Sequence, residues 1–283
     1  MSSTTRIEHL REWIGREDNR TDVVTPTPVA ALAATLDRAD PAPCEGDPLP
    51  PLWHWLYFLP IARQSELGED GHPARGGFLP PVPLPRRMWA GGRLSFGPPL
   101  RIGQTIHRRS VVADVTEKAG RAGTLVFVLV RHEIGGPDGI AITEEHDIVY
   151  RDAPAPDEPA APPRPAPADG VWRREIVPDS VLLFRYSALT FNGHRIHYDR
   201  SFVTTVEGYP GLIVHGPFIV TLLMDLLRRN TDTPVANLRY RAVRPLFDTA
   251  PFTSHGRPKP GGAALWAADP EGALAMQAEV GFA

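Results

Sequence analysis

Residues 216–229, GPFIVTLLMDLLRR, predict a helix that is apolar nearly all round, with only Thr221, Asp225 and the terminal arginines polar. Such a helix must be covered on several sides. The segments around it supply the cover. NLRYRAVRPLF (237–247), PFTSHGRPK (251–259), GGAALWAAD (261–269) and GALAMQAEVGFA (272–283) have the patterning and Gly/Pro punctuation of antiparallel strands, and WRREIVP (172–178) and VLLFRYSALT (181–190) read as a strand and its lead-in. The first half repeats the order. TRIEHLREWIGRED (5–18) sets Ile7, Leu10, Trp13 and Ile14 at helical spacing. Residues 25–37 predict a second helix, with Thr25 or Thr27 as cap and Pro26 or Pro28 in the first turn. Strands at 87–97, 105–120, 123–136 and 140–151 are β-branched and aromatic, and AGRAG (119–123) suits a hairpin turn.

Between the halves lies DAPAPDEPAAPPRPAPADG (152–170), with seven prolines in nineteen residues and no apolar side chain larger than alanine or proline. It cannot build a core and predicts an extended linker. The expected organisation is therefore an N-terminal half (1–151), a linker (152–170) and a C-terminal half (171–283). One helix wrapped by an antiparallel sheet is the hot-dog arrangement, so the expected fold class is α+β, a double hot dog of two antiparallel sheets, each around a central helix.

Composition narrows the function. The chain has 283 residues, 42% of them apolar, enough for one or two ordinary domains. A net charge of −3 argues against a nucleic-acid or anionic-membrane partner. The single cysteine, Cys44, permits no internal disulfide and no multi-cysteine zinc site. The first residues, MSSTTRIEHLREW, contain no apolar signal core, and the most apolar run, LVFVLV (125–130), is too short to span a bilayer. The expected location is cytoplasmic. The oligomeric state stays open, and a homodimer is compatible with the chain.

The chemistry concentrates at 192–199, where Asn192, His194, Arg195, His197, Tyr198 and Asp199 crowd together ahead of a GYPG turn (208–211), an LIV run and His215-Gly216. Proton-transfer groups beside a helix start suggest catalysis. His197 is the expected acid/base, with His194 a rival and His215 a supporting group. A long Gly/Pro loop, 66–87, carries Asp70, His72, Arg75, Arg86 and Arg87, and reads either as a solvated tip or as a lid whose arginines meet an anion. His54, in the aromatic stretch PLWHWLYFL (51–59), reads as a core or pocket-wall residue; His107, His132 and His146 read as structural or solvent-facing residues on strands. No H-E-x-x-H metal pattern and no G-x-S-x-G elbow occurs, so neither a metal nor another cofactor is expected.

YSALTFNGHRIHYD (186–199) with EGYPGLIVHGP (207–217) resembles the MaoC-like double-hot-dog hydratases and dehydratases, in the branch of the type-2 hydroxyacyl-thioester dehydratases and the mesaconyl-C4-CoA hydratases. LREWIGRED (10–18), DGHPARGGFLPPVPLPRRMWAGG (70–92) and EEHDIVYRD (144–152) are similar to the same branch. The resemblance implies an acyl-CoA thioester substrate and reversible addition of water to its double bond, with a single site in the C-terminal half and the N-terminal half as acyl-pocket wall. It implies Gly216 as the oxyanion position and His197 as the histidine of a D-x-N-P-[LIV]-H-like motif. Asn192 then stands where that motif has its aspartate, and an amide cannot accept the proton. A free carboxylate on a C5 dicarboxylic acyl group would need a cation; Arg195, Arg86 and Arg87 are the candidates. Two alternatives stay open: a 3-hydroxyacyl-thioester (ACP or CoA) dehydratase of fatty-acid synthesis, and a non-catalytic acyl-thioester-binding protein.

Overall fold

Ten strands form one continuous antiparallel sheet in the computed structural model of the chain, which describes residues 3–120, 123–152 and 162–283. In chain order they are β1 (Glu17–Val23), β2 (Arg86–Phe96), β3 (Thr105–Gly120), β4 (Gly123–Gly136), β5 (Gly139–Arg151), β6 (Trp172–Ile176), β7 (Val235–Ala242), β8 (Phe252–Lys259), β9 (Gly262–Ala268) and β10 (Leu274–Phe282). The spatial order is β1-β3-β4-β5-β2-β7-β10-β9-β8-β6. The two expected sheets are thus the two ends of one surface, joined where β2 pairs with β7 from Gly91–Arg241 to Ser95–Asn237, and the N-terminal end gains β1 as an edge strand that the sequence reading did not give. The seam needs a residue without a side chain. A Cβ at Gly91 would lie 2.6 Å from the Tyr240 carbonyl oxygen.

The helices are α1 (Ser3–Arg11), α2 (Pro26–Thr35), α3 (Ser180–Leu189), α4 (Arg200–Thr205) and α5 (Gly216–Arg228). The apolar pattern of α5 has its expected result. Phe218 through Leu227 are all buried, and the helix packs against β6, β8, β9 and β10. Its one buried charge, Asp225, is held by Arg38 at 2.7 Å, Arg174 at 2.5 Å and Arg229 at 2.8 Å. A buried carboxylate is tolerable when paired this fully. In the N-terminal half α2 is shorter and packs on α3, not along its own sheet. A second core, including Ile7, Leu10, Val82, Val112, Val128 and Tyr150, fills the outer part of that half.

Several boundaries differ from the sequence reading. Helix α1 ends at Arg11 and loosens into i→i+3 turns up to Ile14; Gly15, at φ +87, then donates to Val112 O, and residues 17–23 run on as edge strand β1. Residues 181–190 are not a strand lead-in but helix α3, whose Asp179 cap accepts a bond from Leu182 N at 2.8 Å. The strand expected over 237–247 ends at Ala242, and α4 appears in what reads as loop. Residues 121–122 of the expected hairpin turn lie outside the described residues, although β3 and β4 pair down to Gly120–Gly123. So does most of the expected linker, 153–161. Its far end is held against the start of β10, with Ala166 N donating to Gly272 O and Leu274 N to Arg164 O. No helix among the described residues is long and apolar enough to cross a membrane.

Candidate active site

The polar loop follows α3 through two backbone devices. Phe191 adopts the left-handed region (φ +49), and Asn192 N donates to Ser187 O at 2.8 Å. The Asn192 side chain closes an Asx turn by accepting from His194 N at 3.0 Å. A 3-10 turn over Arg195–His197 follows, then Asp199, which caps α4 by accepting from Phe202 N. The turn is tied to the LIV run, with Ile213 N donating to Ile196 O.

His197 is buried, and its Nδ1 lies 2.7 Å from the Ile213 carbonyl oxygen. A carbonyl only accepts, so Nδ1 carries the proton and Nε2 keeps its lone pair. Burial pushes His197 down to about 4; the Ile213 bond opposes the shift and the nearby His72 adds to it. His215, fully buried beneath it, stacks on its ring at 3.7 Å with 20° between the planes. His215 Nε2 is 2.8 Å from Ser187 Oγ, and burial, with His197 and His194 nearby, holds this imidazole well below its usual range. His215 thus lies directly behind the His197 ring, tied to α3 through Ser187.

The other face of the cluster comes from the N-terminal half. The loop after residue 66 docks on the polar loop, with Arg195 N donating to Asp70 O at 2.9 Å. His72 packs on His194 with ring centroids 4.1 Å apart, and His194 meets His197 edge-on at 5.4 Å. Burial lowers both His72 and His194. Burial alone would raise Asp70, but the His72 side-chain and backbone bonds and the two neighbouring imidazoles outweigh it, so the carboxyl sits below its usual range. Sequence reasoning treated Asp70 and His72 only as members of a long loop. The available signal was the DGH tripeptide inside a Gly/Pro-rich loop too long to be a simple connection. Asp70, His72 and His194 also each offer a ligand atom within 4.8 Å of one another, a spacing that could hold a cation, although Asp70 and His72 already bond each other.

The three candidate arginines separate cleanly. Arg195 pairs with Asp199 at 2.7 and 3.0 Å, bonds Glu69 O and lies over Phe202. Arg86 bonds Tyr209 Oη and Glu207 O. Arg87 has no ion pair among the described residues; it lies near the Tyr150 hydroxyl and near enough to His72 and His194 to disfavour their protonation. Gly216 opens α5, with His215 as N-cap, and a Cβ there would meet nothing within 4 Å. A helix N-terminus with open space before it offers N–H donors to an anion.

The family model for hydroxyacyl-thioester dehydratase type 2 matches residues 52–248. A mesaconyl-C(4)-CoA hydratase of Chloroflexus aurantiacus is 50% identical over 268 residues, covering 95% of this chain and 96% of the relative. Among solved structures, HtdX of Mycobacterium tuberculosis superposes with a TM-score of 0.69 at 17% identity, covering 94% of this chain and 99% of that one. A second protein of that organism, described as having a double hot-dog fold, gives 0.57 at 13%, covering 94% and 95%.

Proposed function

Because the chain belongs to the hydroxyacyl-thioester dehydratase type 2 family, we propose that it adds water reversibly across the double bond of an enoyl-CoA thioester, with mesaconyl-C4-CoA as the substrate. The observation that carries the chemistry is the tautomer of His197, a buried neutral imidazole whose Nδ1–H is bound to Ile213 O and whose Nε2 lone pair has no hydrogen-bond donor among the described residues. In hydration, His197 Nε2 takes a proton from water as the oxygen bonds to the β-carbon. The electron pair of the double bond moves onto the thioester oxygen as an enolate, which accepts from the Gly216 N–H. The imidazolium then returns the proton to the α-carbon. The Asn192 amide nitrogen, without a protein partner among the described residues, donates to the water or the thioester. His215 holds the His197 ring flat, and the C-terminal half carries the chemistry while the N-terminal half supplies the wall and the loop.

The free carboxylate of the C5 acyl group is assigned to Arg87, since Arg195 and Arg86 already have partners. The lone cysteine fits a cytoplasmic setting, and a homodimer is compatible with the fold. The test follows the loss of enoyl-thioester absorbance with mesaconyl-C4-CoA and with crotonyl-CoA, which lacks the carboxylate. Wild type should hydrate the first faster. His197→Ala should lose about 10²–10⁴-fold, the usual weight of a general base. Wild-type rates equal to buffer for both substrates would refute the assignment; full activity in His197→Ala with a dead His194→Ala would move the base to His194.

A further inference from the structure

A cavity lies outside this site, with none of the His197 cluster in its lining. It has a volume of about 200 Å³ and opens in the N-terminal half, where Arg20, Arg108, His54, His132, Glu144 and Phe58 contribute to its lining. That is smaller than the ~300 Å³ at which drug-sized sites begin, and several times the ~30 Å³ share of one water. The cavity is set apart from the His197 cluster. Arg87 pairs with Tyr150, whereas the cavity begins at His146, four residues along β5 or roughly 13 Å at ~3.3 Å per residue. Trp55, Trp89 and Tyr240 pack edge to face alongside the cavity, with centroids 5.2–6.5 Å apart.

Its polar groups are unevenly satisfied. Glu144 is buried and accepts from His54 Nε2 at 3.0 Å, Trp55 Nε1 at 2.9 Å and His146 Nε2 at 2.5 Å. Burial opposes its ionisation, but the two histidines outweigh this and keep it a carboxylate. Arg20 and Arg108 share one carboxylate, Asp18, at 2.8 and 3.7 Å. Nearby Asp22 is held by the Val23 and Phe58 amides. Among the described residues, two buried atoms of its lining are without partners, Arg108 Nε and His54 Nδ1, as are Trp89 Nε1 and Tyr240 Oη beside it. The first is a donor that needs an anionic or carbonyl oxygen. The second, on a ring whose Nε2–H points at Glu144, has a lone pair to offer a hydroxyl when the ring is neutral. Phe58, Trp55 and Ile134 provide apolar wall between such polar ends.

We propose that this cavity is a second ligand site, separate from the hydration site, that takes a small hydroxycarboxylate, its carboxylate on Arg108 and its hydroxyl on His54. Unmatched buried donors and acceptors cost stability unless a ligand or water completes them, and one hydroxy acid completes both. Calorimetric titration of the full-length protein with malate, and with succinate as the acid lacking the hydroxyl, tests it. Malate should bind one site per chain, succinate at least threefold more weakly, and Arg108→Gln should weaken malate at least tenfold. His197→Ala should bind malate as wild type does. Absence of malate binding, or its loss in His197→Ala with retention in Arg108→Gln, overturns the proposal; equal affinity for succinate overturns the hydroxyl assignment. Should Arg108→Gln fail to fold, a wild-type crystal soaked in malate decides: malate on Arg108 supports the site, and malate on His197 or on neither overturns it.

Discussion

His197 has a free-solution value near 6.5, but in the fold burial brings it down to about 4. Its base form is therefore present throughout the neutral range. The kcat/KM profile for hydration should keep its plateau down to about pH 5 and fall with an acid limb near 4; a limb at 6.5 would mean the imidazole is solvated or another histidine is the base. Arg87 gives a second expectation. A charge-assisted bond to a carboxylate contributes about 1.5–3 kcal/mol, so Arg87→Gln should lower kcat/KM for mesaconyl-C4-CoA by roughly 10–100-fold and leave crotonyl-CoA within a factor of about three. Steady-state kinetics on the two substrates separates this from a general disturbance, which would slow both.

At the level of elements, the site depends on how closely two loops approach. Gly71 adopts φ +84, and a Cβ there would overlap the Gly193 carbonyl oxygen. Gly71→Ala should lift the Asp70–His72 segment off His194 and reduce kcat/KM at least tenfold, while urea unfolding changes by no more than about 1 kcal/mol, because the loop is partly exposed. Unchanged activity would mean that the segment is dispensable. The elements themselves differ in how readable they are. Helix α5 and strands β3 to β5 were legible because their burial follows the 3.6- and 2-residue periods. β1, EDNRTDV, was not, since an edge strand needs few apolar residues and is set by pairing with β3. α3 was mistaken because a strongly apolar ten-residue segment suits either state, and Asp179 decides it. Within the candidate site, the closeness of His194 and His197 follows from their adjacency in sequence. The arrival of Asp70 was not legible, because nothing local to either loop encodes their contact.

For the whole molecule the buried histidines set an acid limit. His72, His132, His194, His197 and His215 all have folded-state values below their unfolded ones. A depressed histidine is neutral in both states above pH 6.5, so nothing is lost there. Below 6.5 the unfolded chain takes up protons that the folded one refuses, and stability falls until the folded value is reached. His197 alone, moving from 6.5 to about 4, accounts for roughly 3 kcal/mol across that window at ~1.36 kcal/mol per unit. Thermal denaturation from pH 8 to pH 4.5 should show a level Tm down to about 6.5 and a steep decline below it; replacing His132, away from the catalytic loop, with Asn should flatten that decline. A Tm as flat below 6.5 as above would mean that the histidines protonate within the fold.

The contact between the loop bearing Asp70 and the loop bearing His197 spans 126 residues of chain. On the proposed assignment, a nascent chain of the first 151 residues holds β1 to β5 and Arg87 but not His197. The proposed base arrives only with the second half, and only then can Arg195 N reach Asp70 O. With His197 as the proposed base, turnover reports completed synthesis, because a chain cut before residue 171 lacks that imidazole.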